Sequence, residues 1–410
     1  MVSRSYIQQT QPVQEVTMNI PDKALLREQK QRILDRIYQY HLRDWNGSDG
    51  KIFFISDTYP GVWMEHTFDS IVWGDYEPSQ HEISRNQVRL FLNWQKPDGQ
   101  FPCYVWKNEV GYGWTQEGVS FGSLCLEACR LNPQDRQLLQ DCYRACKAWD
   151  EWLCKTHMTR KTGLIEMFCG YDTGHDNSCR VNDLTYPEKF CMDGNIAPKD
   201  DELLPILAPD MNAIFYGNRI ALAEMAEKLN LMQEAAQWRI KAEEVKKKLF
   251  EYCYNEEDQF FYDVDKHGKQ RKIKSVSITN VFTEHVLDQD LGNQIFERYL
   301  HNPKEFWTPY PFPGVSISDP QWVQNLPGNS WNFYSQGLTV LRALRWMEYY
   351  GRSKEMEEIM VKWVAAWSRS NTIMFGQELH PITGEPSCSS TWYSACMLYF
   401  LYAIRRLYDV

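Results

Sequence analysis

Apolar residues recur at helical spacing along most of the chain, and the pattern predicts about a dozen helices. They fall at 22–44, 62–76, 81–95, 116–131, 135–157, 209–229, 231–253, 276–287, 290–301, 329–350, 353–369 and 389–407. Asp22 follows Pro21 and suits the cap of the first helix, and Gly351 suits the stop after the tenth. The only strand material is a hairpin, running from Gln259–Val264 through Lys266-His267-Gly268-Lys269 towards Ile273. The connections alternate. Those between helices 2–3, 4–5, 6–7, 8–9 and 10–11 are short, and those between 1–2, 3–4, 5–6, 7–8, 9–10 and 11–12 are long. In an antiparallel array successive connections fall at opposite ends, so every long loop lies on one face. Twelve such helices close into six hairpins around an axis. The expectation is an all-α chain, an (α/α)6 barrel, forming one domain over 1–410 with 1–20 as a polar extension. A solenoid would need a fixed repeat period, and the sequence has none.

Composition narrows the function. The 410 residues are 43% hydrophobic and 24% charged, with a net charge of −10 and no basic block apart from Lys246-Lys247-Lys248, which sits among glutamates. Nucleic acid and anionic membrane surfaces are therefore poor partners. Met1–Ile20 has no apolar signal-type core, and Thr391–Ile404 is too short to span a bilayer, so a cytoplasmic location with no membrane partner is expected. Cys125/Cys129 and Cys142/Cys146 are spaced i, i+4, a pattern better explained by small residues on a helix seam than by a metal site. Sixteen Trp and 23 Tyr are the unusual feature. Flat rings stack on the apolar faces of sugars, which points to a small carbohydrate as partner.

The long loops hold the chemistry. Cleavage of a glycosidic bond needs one carboxylic acid to protonate the leaving oxygen and one carboxylate to activate water or attack carbon. Asp176 sits between Gly174 and Asn177 in a tight turn, and Glu378 precedes a Pro-Ile-Thr-Gly turn at 381–384. Both follow odd-numbered helices, so both face the same cavity. Asp69, Asp172, Asp210 and Glu385 are competing choices. His66, His175 and His380 lie on the same face and would suit an acid–base isomerase instead. No dinucleotide fingerprint, Walker loop, nucleophile elbow or His-Glu-x-x-His pair is present, and no cofactor or metal is expected.

These loops resemble those of the glycoside hydrolase family 63 group, which includes processing α-glucosidases and bacterial hydrolases of mannosylglycerate and glucosylglycerate, with trehalases as distant relatives. Gly174-His175-Asp176-Asn177-Ser178-Cys179-Arg180 is similar to the family's Gly-Met-Asp-Asn-Ser-Pro-Arg, whose Asp is the general acid. Glu378 to Gly384 is similar to its Glu-Asn-Tyr-x-Pro-x-Thr-Gly, whose Glu is the general base. Trp63 to Ser70 resembles the segment ending in Trp-Asp-Ser, which would place Asp69 at the sugar. Gln95 to Pro102 resembles Gln-x-Pro-Asp-Gly-x-x-Pro, Thr115-Gln116 the Thr/Ser-Gln-Pro-Pro element, and Asp210-Met211-Asn212 its Asp-Leu-Asn. Phe306-Trp307-Thr308, Gly328 to Trp331, and Thr391-Trp392 match further positions, in family order over roughly residues 60 to 407.

Four departures touch the sugar cleft: His175 and Cys179 beside the acid, Phe68 before Asp69, and Glu117-Gly118 for the Pro-Pro pair. The resemblance implies an inverting hydrolase of an α-linked glucoside or mannoside, with Asp176 as acid and Glu378 as base. Trp63, Trp331 and Trp392 are the candidate walls of the sugar site. Asp69, Gln95, Gln116 and Arg180 would hold hydroxyls or a substrate carboxylate, and Trp94, Asp98, Asn177, Trp307 and Tyr310 complete the substrate set. The missing N-terminal β-domain favours a small substrate over a glycoprotein glycan. A sugar isomerase on a similar barrel, and a carbohydrate-binding protein without catalysis, remain alternatives.

Overall fold

Twelve α-helices form among the described residues, which in this computed structural model are 21–56, 58–180, 194–322, 328–369, 374–387 and 390–410. They are α1 (Lys23–Arg36), α2 (Thr67–Tyr76), α3 (Glu82–Asn93), α4 (Phe121–Leu131), α5 (Arg136–Thr156), α6 (Pro209–Lys228), α7 (Met232–Cys253), α8 (Ile278–Thr283), α9 (Gln289–Ile295), α10 (Gly337–Trp346), α11 (Ser353–Arg369) and α12 (Ser394–Tyr408). Each falls within a residue of a segment expected from the sequence. Side-chain caps start several of them: Asp22 accepts from the Ala24 N–H, Ser120 from Ser123, Asp135 from Leu138 and Asp288 from Leu291. The expected extension 1–20, residues 181–193, and residue 389 at the expected start of the last helix lie outside the described residues.

The even-numbered helices touch in a closed cycle: α2 with α4, α4 with α6, α6 with α8, α8 with α10, α10 with α12, and α12 with α2. Odd-numbered helices pack on the outside of this ring, α3 on α2 and α4, α5 on α4 and α6, α7 on α6, and α11 on α10 and α12. The side chains explain the two layers. α6 is buried on nearly every side from Pro209 to Ala223, whereas α7 buries a single stripe of Ala235, Trp238, Ala242, Val245, Leu249 and Cys253 at intervals of three and four. Glycines let inner helices approach closely, and the Gly122 N–H donates to Asn218 Oδ1 at 2.8 Å between α4 and α6. On the α4–α5 seam Cys125 and Cys146 meet Sγ to Sγ at 3.8 Å.

The loop alternation is as expected. Connections 77–81, 132–135, 229–231, 284–288 and 347–352 are short, and 37–66, 94–120, 157–208, 254–277, 301–336 and 370–393 are long. The long connections carry short antiparallel strands that the sequence pattern missed apart from one hairpin. β1 (Leu42–Arg43) pairs with β2 (Ile52–Phe53), and β3 (Gly61–Trp63), β4 (Tyr104–Trp106) and β5 (Val110–Gly111) form a three-stranded sheet. β6 (Tyr254–Asn255) pairs with β7 (Phe260–Phe261), and β8 (Asp263–Val264) with β9 (Gln270–Arg271), the expected hairpin, whose turn holds Gly268 at φ +81. β10 (Ser335–Gln336) pairs with β11 (Glu378–Leu379).

Helix starts are the main correction. Even-numbered helices begin later than expected at 62, 116, 329 and 389, because Trp63 is drawn into β3, and Gln116, Asn329 and Trp392 take left-handed backbone at φ +53, +59 and +51. A right-handed helix cannot pass through such residues. Among the described residues no helix is long and apolar enough to cross a membrane.

Ring closure depends on close contacts such as the one at Gly217, where a Cβ would lie 2.0 Å from Glu284 Oε2. Gly217→Ala is expected to cost about 1–3 kcal/mol through overpacking between α6 and the end of α8. A lowered Tm in calorimetry checks this, and an unchanged Tm would show that Glu284 moves aside freely.

Candidate active site

A cavity of about 400 Å³ opens at the long-loop end of the ring. Every long connection except the α7–α8 one lines it. Tyr59, Trp63, Glu65 and His66 come from the first, Trp114 and Gln116 from the second, and Tyr171, Gly174 and Asp176 from the third. Asn329 and Trp331 come from the fifth and Gln377 and Tyr393 from the sixth, with Leu338 of α10 below.

Asp176 is presented by the turn the sequence suggested. Gly174 at φ +73 and Asn177 at φ +55 bend the chain around it, and the Asp176 carbonyl accepts from the Trp331 N–H at 3.0 Å. Its carboxyl faces the cavity but is enclosed by surrounding side chains. Burial pushes its pKa up to about 7, with the nearby Glu65 adding to the rise and a hydrogen bond from Asn329 opposing it.

Glu378, expected on the same cavity, is instead fully buried on β11, opposite Gln336 of β10, and is not among the residues that line it. Oε1 accepts from the Asn329 N–H at 2.5 Å, and Oε2 accepts from Gln336 Nε2. Two N–H donors suit an ionised carboxylate, which offers acceptors only. Its hairpin closes through Gly384 at φ +72, whose N–H donates to the His380 carbonyl at 2.9 Å. Asn329 joins the two carboxyl groups, since its side-chain Nδ2 also donates to Asp176 Oδ2 at 3.0 Å.

The competing carboxyls are occupied elsewhere. Asp172 accepts from the Thr115, Phe168 and Cys169 N–H groups and ties two loops together. Asp210 is buried against Arg180, and Glu385 is exposed. Asp69 lies behind the cavity, bonded by the Ser394 hydroxyl and pushed up to about 7 by burial. The carboxylate that reaches the cavity from this segment is Glu65, which sequence reasoning passed over. It pairs with Arg342 and accepts from Gln116 Nε2 at 2.9 Å. Its signal was its place two residues after Trp63 in the same segment.

Of the expected substrate residues, Trp63, Gln116 and Trp331 line the cavity, and Asn177 sits beside it with Nδ2 donating to the Asn329 carbonyl at 2.8 Å. The others are engaged away from its lining. Arg180 is clamped between Asp210 and Asp263, with all four bonds between 2.6 and 2.8 Å. Trp94 Nε1 donates to the Asn46 carbonyl at 3.1 Å, Gln95 Nε2 to the Gly99 and Ala145 carbonyls, and Asp98 accepts from the Gln100 N–H. Trp307 lies under Lys362, Trp392 under Arg32 and Arg36, and the Tyr310 hydroxyl accepts from Arg369 at 2.6 Å. Tyr59, Glu65, Tyr171, Asn329, Gln377 and Tyr393 are lining residues absent from the expected set.

The histidines are held in neutral roles. Burial pushes His66 down to about 3, and its Nε2 meets the Tyr393 hydroxyl at 2.8 Å. His175 stacks on Trp331 with ring centroids 4.3 Å apart, and its Nδ1 meets Arg180 at 3.0 Å, where burial also holds its pKa well below the usual value. His380 Nδ1 accepts from the Ile382 and Thr383 N–H groups and supports the turn after Glu378.

Comparison with known proteins gives the fold and the family. A mannosylglycerate hydrolase of Thermus thermophilus, solved with glucose, superposes with a TM-score of 0.69 at 16% identity, over 91% of this chain and 99% of that one. The neutral trehalase of Saccharomyces cerevisiae gives 0.64 at 13% identity, over 89% of this chain and 76% of that one. At such identities the likeness is one of fold. An uncharacterised protein of Borreliella burgdorferi is 26% identical over 169 residues, 40% of this chain and 34% of that relative's length. The family model of the mannosylglycerate hydrolase MGH1-like glycoside hydrolase domain matches residues 78–394, most of the sequence, and the chain belongs to that family.

Proposed function

We propose that this protein is an inverting glycoside hydrolase that cleaves a small α-linked glucoside or mannoside, on a single (α/α)6-barrel domain. Asp176 is the general acid and protonates the glycosidic oxygen. Glu378 takes a proton from a water molecule, whose oxygen attacks the anomeric carbon from the opposite face. The bond to the aglycone breaks, and the aglycone leaves as an alcohol. Trp63 and Trp331 offer aromatic faces to the sugar, and Glu65 and Gln116 offer hydroxyl partners.

The observation that carries this reading is the pairing of unlike carboxyls through one asparagine. Asp176 holds its proton near neutrality, whereas Glu378 receives two N–H donors. Their bonds of 3.0 and 2.5 Å to Asn329 keep the two groups within about 10 Å. That limit admits the roughly 6.5–9.5 Å of inverting pairs and also the roughly 5–5.5 Å of retaining ones, so inversion is carried by the family resemblance. An isomerase would need an imidazole that exchanges a proton near neutral pH, and His66 and His175 are both held neutral by burial.

NMR of the first-formed sugar over a panel of α-glucosides, α-mannosides and glycosylglycerates tests the proposal. The β-anomer should appear first. An initial α-anomer would overturn inversion, interconversion of free sugars would favour the isomerase, and binding without turnover would indicate a carbohydrate-binding protein.

Asp176→Asn and Glu378→Gln are each expected to lower kcat by about 10²–10⁴-fold while circular dichroism stays unchanged. Wild-type kcat/KM should fall as pH rises through about 7, because Asp176 then loses the proton it must donate. The same raised pKa makes the folded state bind an extra proton between the ordinary carboxylate range and about pH 7. The stability from this group is therefore complete in acid and lost as pH rises towards 7. Asp176→Asn should consequently show a higher Tm than wild type above pH 7, with the gap closing in acid. A gap independent of pH would mean that Asp176 ionises normally.

A further inference from the structure

Asn329 does more than lie between two carboxyl groups, because the polarity of its neighbours is ordered. The Tyr59 hydroxyl donates to Gln377 Oε1 at 2.7 Å, Gln377 Nε2 donates to Asn329 Oδ1 at 3.0 Å, and Asn329 Nδ2 donates to Asp176 Oδ2 at 3.0 Å. We infer that Tyr59, Gln377 and Asn329 form a one-way hydrogen-bond relay that decides which oxygen of the Asp176 carboxyl carries the acid's proton. The inference rests on the acid–base reading above.

An N–H group must meet an acceptor, so Asp176 Oδ2 is held as the carbonyl oxygen of the protonated carboxyl. The proton then resides on Oδ1, free of Asn329 and available to a glycosidic oxygen in the cavity. Reversing both amides would invert this outcome. Asn329 would present its carbonyl oxygen, Asp176 would donate its proton to that oxygen, and the acid would be spent on the protein instead of the substrate. At the far end the Tyr59 hydroxyl places its one proton on Gln377 Oε1, which leaves Gln377 Nε2 to donate to Asn329. Burial and the charges of Asp176 and Glu378 push its pKa up, so that proton stays in place across the working range.

The same residue spaces the base. Its backbone N–H reaches Glu378 Oε1 because Asn329 takes left-handed backbone, which Asn tolerates better than most side chains. Asn329 is thus a positioning residue for both groups, and its substitution should act on the proton of Asp176 through a defined bond. The charged and titratable groups around Asp176 include Glu65 and His66 before α2, Arg342 of α10, His175 and Tyr171 of its own loop, Tyr59, Tyr393 before α12, and Glu378 of β11. Glu65 is paired with Arg342, and both histidines are held neutral, so none of these supplies the hydrogen bond that Asn329 makes.

Asn329→Gly is the cleanest probe, because glycine keeps the N–H to Glu378 and accepts φ +59 while losing the carboxamide. Asn329→Asp keeps the shape but replaces the donor with an acceptor. Each should lower kcat about 10–100-fold, more than it changes KM, since Trp63, Glu65, Gln116 and Trp331 still line the cavity. Each should also raise the pKa of Asp176, by roughly 0.5–1 unit for Asn329→Gly, because a donor that favours the ionised form is gone. Tyr59→Phe should shift it in the same direction by less. The pKa is read from the basic limb of kcat/KM and from titration of the ¹³C-labelled Asp176 carboxyl, assigned with Asp176→Asn. A downward shift would show that Asn329 accepts rather than donates and would overturn the relay. An unchanged pKa with only a lowered Tm would reduce Asn329 to a structural residue. If the wild type turns over no glycoside, the proposed function fails, while the ¹³C titration still decides the relay.

Discussion

A carboxyl group keeps its proton near neutral pH only where water is withheld and no cation takes its place, and the site is organised around that condition at Asp176. Several other buried acids nearby are treated differently. Glu65 faces Arg342, Asp210 and Asp263 share Arg180, and Asp150 pairs with Arg219. Asp172 is satisfied by backbone N–H groups. Asp176 receives one amide donor from Asn329, with Glu65 close enough to raise its pKa further. Burial without a paired cation raises the pKa of Asp69 as well, but of the two only Asp176 lines the cavity.

That condition depends on the ring. Because even-numbered helices close on one another and odd-numbered helices cover them, each odd-to-even connection emerges at the same end. The short connections lie at the other end. Five long loops can therefore supply one pocket, although the residues they contribute run from Tyr59 to Tyr393 along the chain. Arg180 helps fix the geometry from beneath. It anchors the loop of Asp176 to α6 through Asp210 and to β8 through Asp263, and a buried Arg with two bidentate partners tolerates little movement.

Three of the ten described non-glycine residues with positive φ lie at the same place. Gln116, Asn177 and Asn329 all have positive φ, and all lie in or beside the cavity. Such conformations are costly unless surrounding contacts enforce them. Here the enforcing contacts are the site's own hydrogen bonds: Gln116 to Glu65, Asn177 to Asn329, and Asn329 to both carboxyl groups. The strain and the chemistry share the same residues.

Helical spacing and the alternation of loop lengths were enough to place the twelve helices and to put the loops of Asp176 and Glu378 at one end, but Asp176 alone of the two lines the cavity, and Glu378 is buried and linked to it through Asn329. Those properties are local, or follow from the parity of an antiparallel array. Turn residues such as Gly174 and Gly384 added the direction in which each acid points. The sequence reading placed Asp69 at the sugar and passed over Glu65, which lies about one helical turn earlier. Such a shift separates the cavity wall from the space behind it, and α2 begins at Thr67 where periodicity alone starts it at residue 62. Nor could the sequence tell that Arg180 faces two aspartates instead of a substrate, or that Trp392 lies beneath two arginines of α1. A side chain's partner is set by what the folded chain brings near it, and those neighbours come from loops remote in sequence. Periodicity records which face of a helix is buried; only the closed ring decides what stands opposite.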